Sequence, residues 1–398
     1  MLTKQYTFPS GVPAEAAGGK DFTFLDIETT GLRRDTTILY LIGCGWYKGD
    51  EFLIRQWFND DGVSEETMLG ALRQFLSEHP APFFTFNGEG FDIPYLNRHY
   101  ELNSMTYQLD LTGSLDLYRA LRPFQSLLHL PKGRQKDWES FLDIAREDTY
   151  DGGQLIKIYK QYLRSRERSL LDSLLLHNME DVRGMEALLP LAAYVELQQE
   201  HFSVEDITLP TSSAPALGVR CRLSVPLPKP LRITAGMPEI APTASAVFDS
   251  SACSAAASFV DISGSSMTLS IPVVSKKLRY FYPDHKNYYY LPEEDRAIHK
   301  SVGCYVDAAF RRKATPATCY INKEGIFLPV LPAQKYKGMI TEPGRYQDVL
   351  PLYQAEYKDK VVFMEMQPLL EGDKDDLRHY LGDWMRSLFI LEMKKAVT

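Results

Sequence analysis

The chain is short of cysteine: five stand at positions 44, 221, 253, 304 and 319 of 398 residues. No two are two to four residues apart, which argues against a cysteine zinc site. The odd, scattered set fits reduced thiols rather than a disulfide framework, and Cys44, inside an apolar strand pattern, fits core packing. Long apolar runs are missing too. No stretch of roughly 18 apolar residues occurs, so no membrane-spanning helix is expected. The start, Met1-Leu2-Thr3-Lys4-Gln5, lacks the apolar stretch of a signal peptide, which makes the cytoplasm the expected location. Nor is there a basic excess: 44 Lys and Arg against 52 Asp and Glu leave a net charge of −8. That argues against a protein coating nucleic acid through bulk positive charge, while leaving room for an enzyme with a local basic track. No internal repeat is present.

What remains is ordinary globular material, 44% hydrophobic and 24% charged. At about 150 residues per domain, the length suggests two domains. Residues 22–28, 38–47 and 51–58 read as strands, with Lys48-Gly49-Asp50 as a hairpin turn. A helix over 64–78 follows, with Met68, Leu69, Leu72, Phe75 and Leu76 on one face, and then a short buried strand at 82–86. Residues 114–195 are mainly helical. The clearest helix covers 169–188, carries an apolar stripe of Leu171, Leu175, Val182, Met185 and Leu189, and stops at Pro190. The expected fold class is α/β, a mixed sheet flanked by helices over residues 1–200, followed by a smaller α+β domain over 201–398. In the second half, 218–234 reads as strand, turn, strand, and 235–257 as a loop or flexible insertion. Residues 267–282 return to strand pattern, 293–312 read as a helix, 317–330 as a hairpin around Lys323-Glu324-Gly325, and 374–394 as the last helix.

Three local patterns bear on chemistry. Asp26-Ile27-Glu28-Thr29-Thr30-Gly31 places two carboxylates on one side of a strand, because alternate residues share a face. Side by side they repel, and a divalent cation would relieve both; oxygen-only ligation suits Mg²⁺ or Mn²⁺. The same pattern also occurs at solvated strand ends. Asn87-Gly88-Glu89-Gly90-Phe91-Asp92 leads from the strand at 82–86 into a helix, where Asp92 is either a functional carboxylate or a helix cap. His177 and Asp181 are four apart and share a helix face, as a site pair or as a surface pair.

Taken in order, Asp-x-Glu on a first strand, Asp at a strand-to-helix junction and His-x-x-x-Asp on a late helix resemble the DEDD exonuclease superfamily of ribonuclease H-like fold, and more narrowly its YprB-like ribonuclease H-like proteins. The resemblance runs from Asp26 to about Val195 and implies a metal-dependent 3′–5′ exonuclease on single-stranded RNA or DNA. It implies that Asp26, Glu28 and Asp181 hold one divalent cation, Mg²⁺ or Mn²⁺, and that Asp26 and Asp92 contribute to a second. It makes His177 the base that takes a proton from the attacking water, and sets Thr29, Asn87 and Phe91 beside the substrate. Two alternatives are a nucleic-acid-binding scaffold without turnover and a structure-selective endonuclease. One departure matters: three residues separate His177 from Asp181, the spacing of the tyrosine subgroup, where the histidine subgroup usually has four. One helical position is worth about 100° of rotation, so the ring could approach the water differently or serve as support.

Residues 275–313 interleave Lys276, Lys277, Arg279, Arg311, Arg312 and Lys313 with Tyr280, Tyr282 and Tyr288–Tyr290. This is either a single-strand-binding track or a tyrosine-rich strand with a solvated face, with Glu293, Glu294 and Asp295 weakening the first reading. Arg33, Arg34 and Arg134 are candidates for phosphate contacts or simply solvated surface. The stretch 283–295 also looks like the carboxy-terminal part of some proteins of the same kind.

Overall fold

The computed structural model describes residues 1–11, 21–235, 258–342, 350–359 and 361–395. They fall into two compact units, Met1–Val195 and Glu196–Thr398.

The first unit is built on a six-stranded sheet of β1 (Leu2–Pro9), β2 (Thr23–Thr29), β3 (Leu39–Lys48), β4 (Glu51–Phe58), β5 (Phe83–Thr85) and β6 (Leu115–Asp116). The spatial order is β1-β4-β3-β2-β5-β6. The first four are antiparallel neighbours, while β5 joins β2, and β6 joins β5, in parallel. The hairpin between β3 and β4 turns at Gly49, whose φ of 60° is free of cost only without a Cβ. The edge strand β1 carries little apolar alternation: only Leu2, Tyr6 and Phe8 turn partly inward.

Helices cover both faces of this sheet. The helix α1 (Glu65–Glu78) has no side-chain cap and is held by Met68, Leu69, Leu72, Phe75 and Leu76, all buried. Each such side chain contributes about 1.5–3 kcal/mol. They join Leu25 and Ile27 of β2 in one core cluster, with Ile93, Tyr95 and Leu96 of α2 (Asp92–Leu102). Since β2 alternates, Asp26 and Glu28 point to the other face. That face is covered by α5 (Gly152–Ser165) and α6 (Arg168–Ala187), with Tyr159, Leu174 and Leu175 packed on Tyr40, Leu41 and Phe58. Between α2 and α5 in sequence lie α3 (Leu117–Leu127) and α4 (Gln135–Phe141). Beyond α6, Pro190 opens a 3₁₀ turn, Leu189–Leu191.

The second unit holds a five-stranded antiparallel sheet in the order Phe202–Thr208, Ala216–Leu223, Ser266–Pro272, Ser258–Ser263, Leu231–Ala235. The two strands expected over 218–234 are thus present but not neighbours; a hairpin lies between them. The expected insertion near 235–257 falls, from residue 236 on, outside the described residues. The helix Lys374–Lys395 is present, with Leu377, Leu381, Trp384, Leu388 and Phe389 among its buried residues.

Two expectations for this half are corrected. Residues 293–312 are not one helix but a strand Arg296–His299, a single helical turn Lys300–Gly303, a 3₁₀ turn Ala308–Phe310 and a strand Arg312–Lys313. Val302, Tyr305 and Phe310 are exposed, so the apolar spacing had no core to face. Asp295, at φ 49°, turns the chain instead, held by the hydroxyl of Tyr290 at 2.9 Å and by Tyr320. The hairpin over 317–330 is one continuous strand, Tyr320–Val330, paired with Val274–Phe281. Gly325 sits opposite Lys276 within that ladder and makes no turn.

Candidate metal centre

The site begins on β2. Asp26 and Glu28 lie on the sheet face turned to α6, just before a bulge between Glu28 and Thr29. Asp26 Oδ2 accepts a hydrogen bond from Asn178 Nδ2 at 2.7 Å. Asn178 is oriented in turn by Gln56, whose Nε2 donates to Asn178 Oδ1 at 2.8 Å and to the Leu175 carbonyl at 2.9 Å. Glu28 accepts from the Tyr40 hydroxyl at 3.3 Å.

The second segment is the start of α2. Asp92 is buried, and its Oδ1 accepts the backbone N–H of Ile27 at 3.0 Å, so it is fastened to the strand between Asp26 and Glu28. The loop before it is held from below by Asp116, which accepts the N–H groups of Asn87 at 2.9 Å and Glu89 at 3.0 Å.

The third segment is α6. His177 Nε2 lies 3.3 Å from Glu28 Oε1 and 3.1 Å from Asp181 Oδ2, and its Nδ1 is 2.6 Å from Asp148 Oδ2. Arg146 Nη2 is 2.6 Å from Asp181 Oδ1. Asp26, Glu28, Asp92, His177 and Asp181, drawn from three separate stretches, are therefore neighbours in one cluster.

Charge in this cluster is unbalanced. Burial raises the Asp26 carboxyl well above the usual range, and Asp181, Asp92 and Glu28 add to the effect against the Asn178 hydrogen bond. Glu28 is pushed up to about 7, by burial first, with His177 opposing and Asp181 adding. Asp92 also reaches about 7; burial outweighs the backbone N–H groups of Ile27 and its own residue, and Asp116 and Asp181 repel it. Asp181 alone is lowered: burial works against its charge, but His177 and then Arg146 overcome that. Burial likewise disfavours the charged form of His177, yet Asp181, Glu28 and Asp148 together push it up to about 9. His177 and Arg146 thus outweigh burial only at Asp181, and the other three carboxylates stay raised. An oxygen-rich donor set short of positive charge fits a hard divalent cation such as Mg²⁺ or Mn²⁺. Glu28, His177 and Asp181 each offer a ligand atom within 4.8 Å of the others.

The remaining candidates are dispersed in role. Thr29 is buried and donates its hydroxyl to the Gly31 carbonyl at 2.8 Å. Asn87 is exposed with φ 68°. Phe91 is half-buried beside Tyr95, with ring centroids 5.6 Å apart. Arg33 and Arg134 are exposed, and Arg34 donates to the Gly90 carbonyl at 3.1 Å. Sequence reading missed Asn178, Arg146 and Asp148. Asn178 did leave a signal: it interrupts the apolar stripe of α6 between Leu175 and Val182, and a polar side chain there needs a partner inside. Gly43 left another, as a glycine in the middle of a buried strand.

Residues 23–193 match the family model of the RNase H superfamily, and the mixed sheet flanked by helices is an RNase H-like domain. No curated protein matches the chain. Among solved structures, the family B DNA polymerase from the hyperthermophilic archaeon Pyrobaculum calidifontis is similar at 14% identity and a TM-score of 0.35, over 46% of this chain and 25% of the polymerase. The shared part is therefore a quarter of the polymerase's length. Among the described residues, no helix is long and apolar enough to cross a membrane.

Proposed function

We propose that this chain is a metal-dependent nuclease, a 3′–5′ exonuclease acting on single-stranded RNA or DNA. The observation that carries the reading is the convergence of Asp26, Glu28, Asp92 and Asp181 with His177 in one cluster of an RNase H-like domain. Asp26, Glu28 and Asp181 would hold one divalent cation, and Asp26 with Asp92 a second. Bound there, Mg²⁺ or Mn²⁺ would supply positive charge to the attacking and leaving oxygens of phosphodiester hydrolysis.

The chain's own groups do the rest. His177 takes a proton at Nε2 from the attacking water, once the ring has given up the proton that Asp181, Glu28 and Asp148 hold on it in the metal-free chain. Its Nδ1 is already occupied by Asp148. Asn178 and Gln56 fix the orientation of Asp26. Asn87 and Phe91 are the side chains proposed to meet the strand, Phe91 through base stacking, with Thr29 shaping the turn after β2.

The test uses the full chain and single-stranded RNA and DNA labelled at the 5′ end, with Mg²⁺ or Mn²⁺. The reading expects a ladder that shortens from the 3′ end and is lost in Asp26→Ala and Asp181→Ala. Discrete internal fragments would replace it with an endonuclease. Binding without any cleavage, or cleavage that survives both substitutions, would overturn it.

A further inference from the structure

We propose that Arg146 and Asp148, on the segment between α4 and α5, are positioning residues that aim Asp181 and His177 into the cluster; this inference rests on the nuclease reading above. Three residues of the stretch His177–Asp181 grip that segment. Glu180 accepts the backbone N–H groups of Glu147 and Asp148, both at 2.9 Å. His177 Nδ1 meets Asp148, and Asp181 meets Arg146.

Each contact fixes one atom. The Asp148 side chain is 1% exposed, and its Oδ2 also accepts from Lys136 Nζ at 2.9 Å, while Oδ1 accepts the Tyr150 N–H at 3.1 Å. Lys136 and the Tyr150 N–H both donate to it and Arg146 Nη2 lies 3.7 Å away, so it acts as an ionised acceptor, and an ionised carboxylate can only accept. The proton shared with His177 therefore belongs to Nδ1. Nε2, 3.3 Å from Glu28 and 3.1 Å from Asp181, is then the nitrogen turned to the site. Arg146 is 10% exposed; its Nη1 donates to both oxygens of Glu139 at 3.1 Å, and its Nη2 takes Asp181 Oδ1. That leaves Asp181 Oδ2 facing His177. Gln135 completes the brace, donating to Glu139 Oε1 and to the Asp181 carbonyl, each at 2.8 Å. The brace gives the His-x-x-x-Asp spacing a physical answer: ring and carboxylate are aimed from outside the helix, not by helical phase alone.

The experiment compares the full-length wild type with Asp148→Asn, Arg146→Gln and Arg146→Lys, with melting curves as the folding check. For Asp148→Asn, kcat on a labelled oligonucleotide is expected to fall by about 10²–10⁴-fold with KM and Mn²⁺ affinity little changed. Long-range nitrogen–proton NMR on the metal-free chain, at a pH above that of His177, is expected to place the ring proton on Nδ1 in the wild type and to show it shared between both nitrogens in Asp148→Asn. For Arg146→Gln, calorimetric Mn²⁺ affinity is expected to drop by about 10–100-fold, with a smaller loss in Arg146→Lys, which keeps the buried charge. Wild-type kcat in Asp148→Asn, or a wild-type ring protonated on Nε2, would overturn the role of Asp148. Unchanged Mn²⁺ affinity in both Arg146 variants would overturn that of Arg146. A wild type that binds no Mn²⁺ and cuts nothing would sink the nuclease reading instead, and the ring spectrum would still decide for or against Asp148.

Discussion

Gly43 faces Asp26 across the β2–β3 ladder, and the space left by its missing side chain is filled by Asn178. A Cβ at residue 43 would collide with the Asn178 carboxamide. One absent methyl group on a strand thus lets a helix side chain reach the first carboxylate of the site.

Gly43→Ala is therefore expected to push Asn178 off Asp26. Overpacking of a close-fitted core costs about 1–3 kcal/mol, so the variant should fold with a lowered melting temperature. Its nuclease activity should fall further than its stability explains. Retained activity together with an unchanged melting temperature would show that Asn178 does not need this space.

Stability should depend on pH in a direction set by the cluster. Glu28 and Asp92 sit at about 7 in the folded chain, against about 4 when unfolded. The folded state holds their protons more tightly, so the metal-free protein should lose stability as pH rises from about 4 to about 7. His177, at about 9 against about 6.5 unfolded, extends the loss through about pH 9. Asp181 is lowered and acts oppositely, its share being lost only as pH falls through the acid range. Bound cations would compete with these protons. Thermal melts should thus show Mn²⁺ stabilising the chain more at pH 8 than at pH 5; a cation effect independent of pH would contradict this.

Asp92→Asn separates charge from scaffolding. The Asn carbonyl can still accept the Ile27 N–H, now made at 3.0 Å, so folding should survive. Its lost charge should weaken Mn²⁺ binding and remove turnover. Asp92→Ala should in addition leave the Ile27 N–H buried and unpaired, at about 1–3 kcal/mol. Equal melting temperatures for the two variants would contradict the fastening of α2 to β2.

What could be read from the sequence was short-range. Asp26 and Glu28 share a face because a strand alternates, and His177 and Asp181 because a helix repeats near four. The apolar face of α1 and the span of α6 followed from the same periodicities. Arg146, Asp148 and Asn178 depend on how a loop and a helix meet the sheet, which no local period encodes. The segment 293–312 misled for a related reason. Its spacing suits a helix, but Val302, Tyr305 and Phe310 find nothing to pack against, and the turn at Asp295 is decided by Tyr320 and Asn322, distant in sequence.

Carboxylates from three stretches of chain are proposed to form one cation-holding centre. Titrating Mn²⁺ into the full chain, followed by the loss of its free electron-spin signal, tests this most directly. Saturable binding is expected, weakened by replacing Asp26, Glu28, Asp92 or Asp181 singly with the matching amide. A chain that binds no Mn²⁺, or binds it equally well in all four variants, would contradict it.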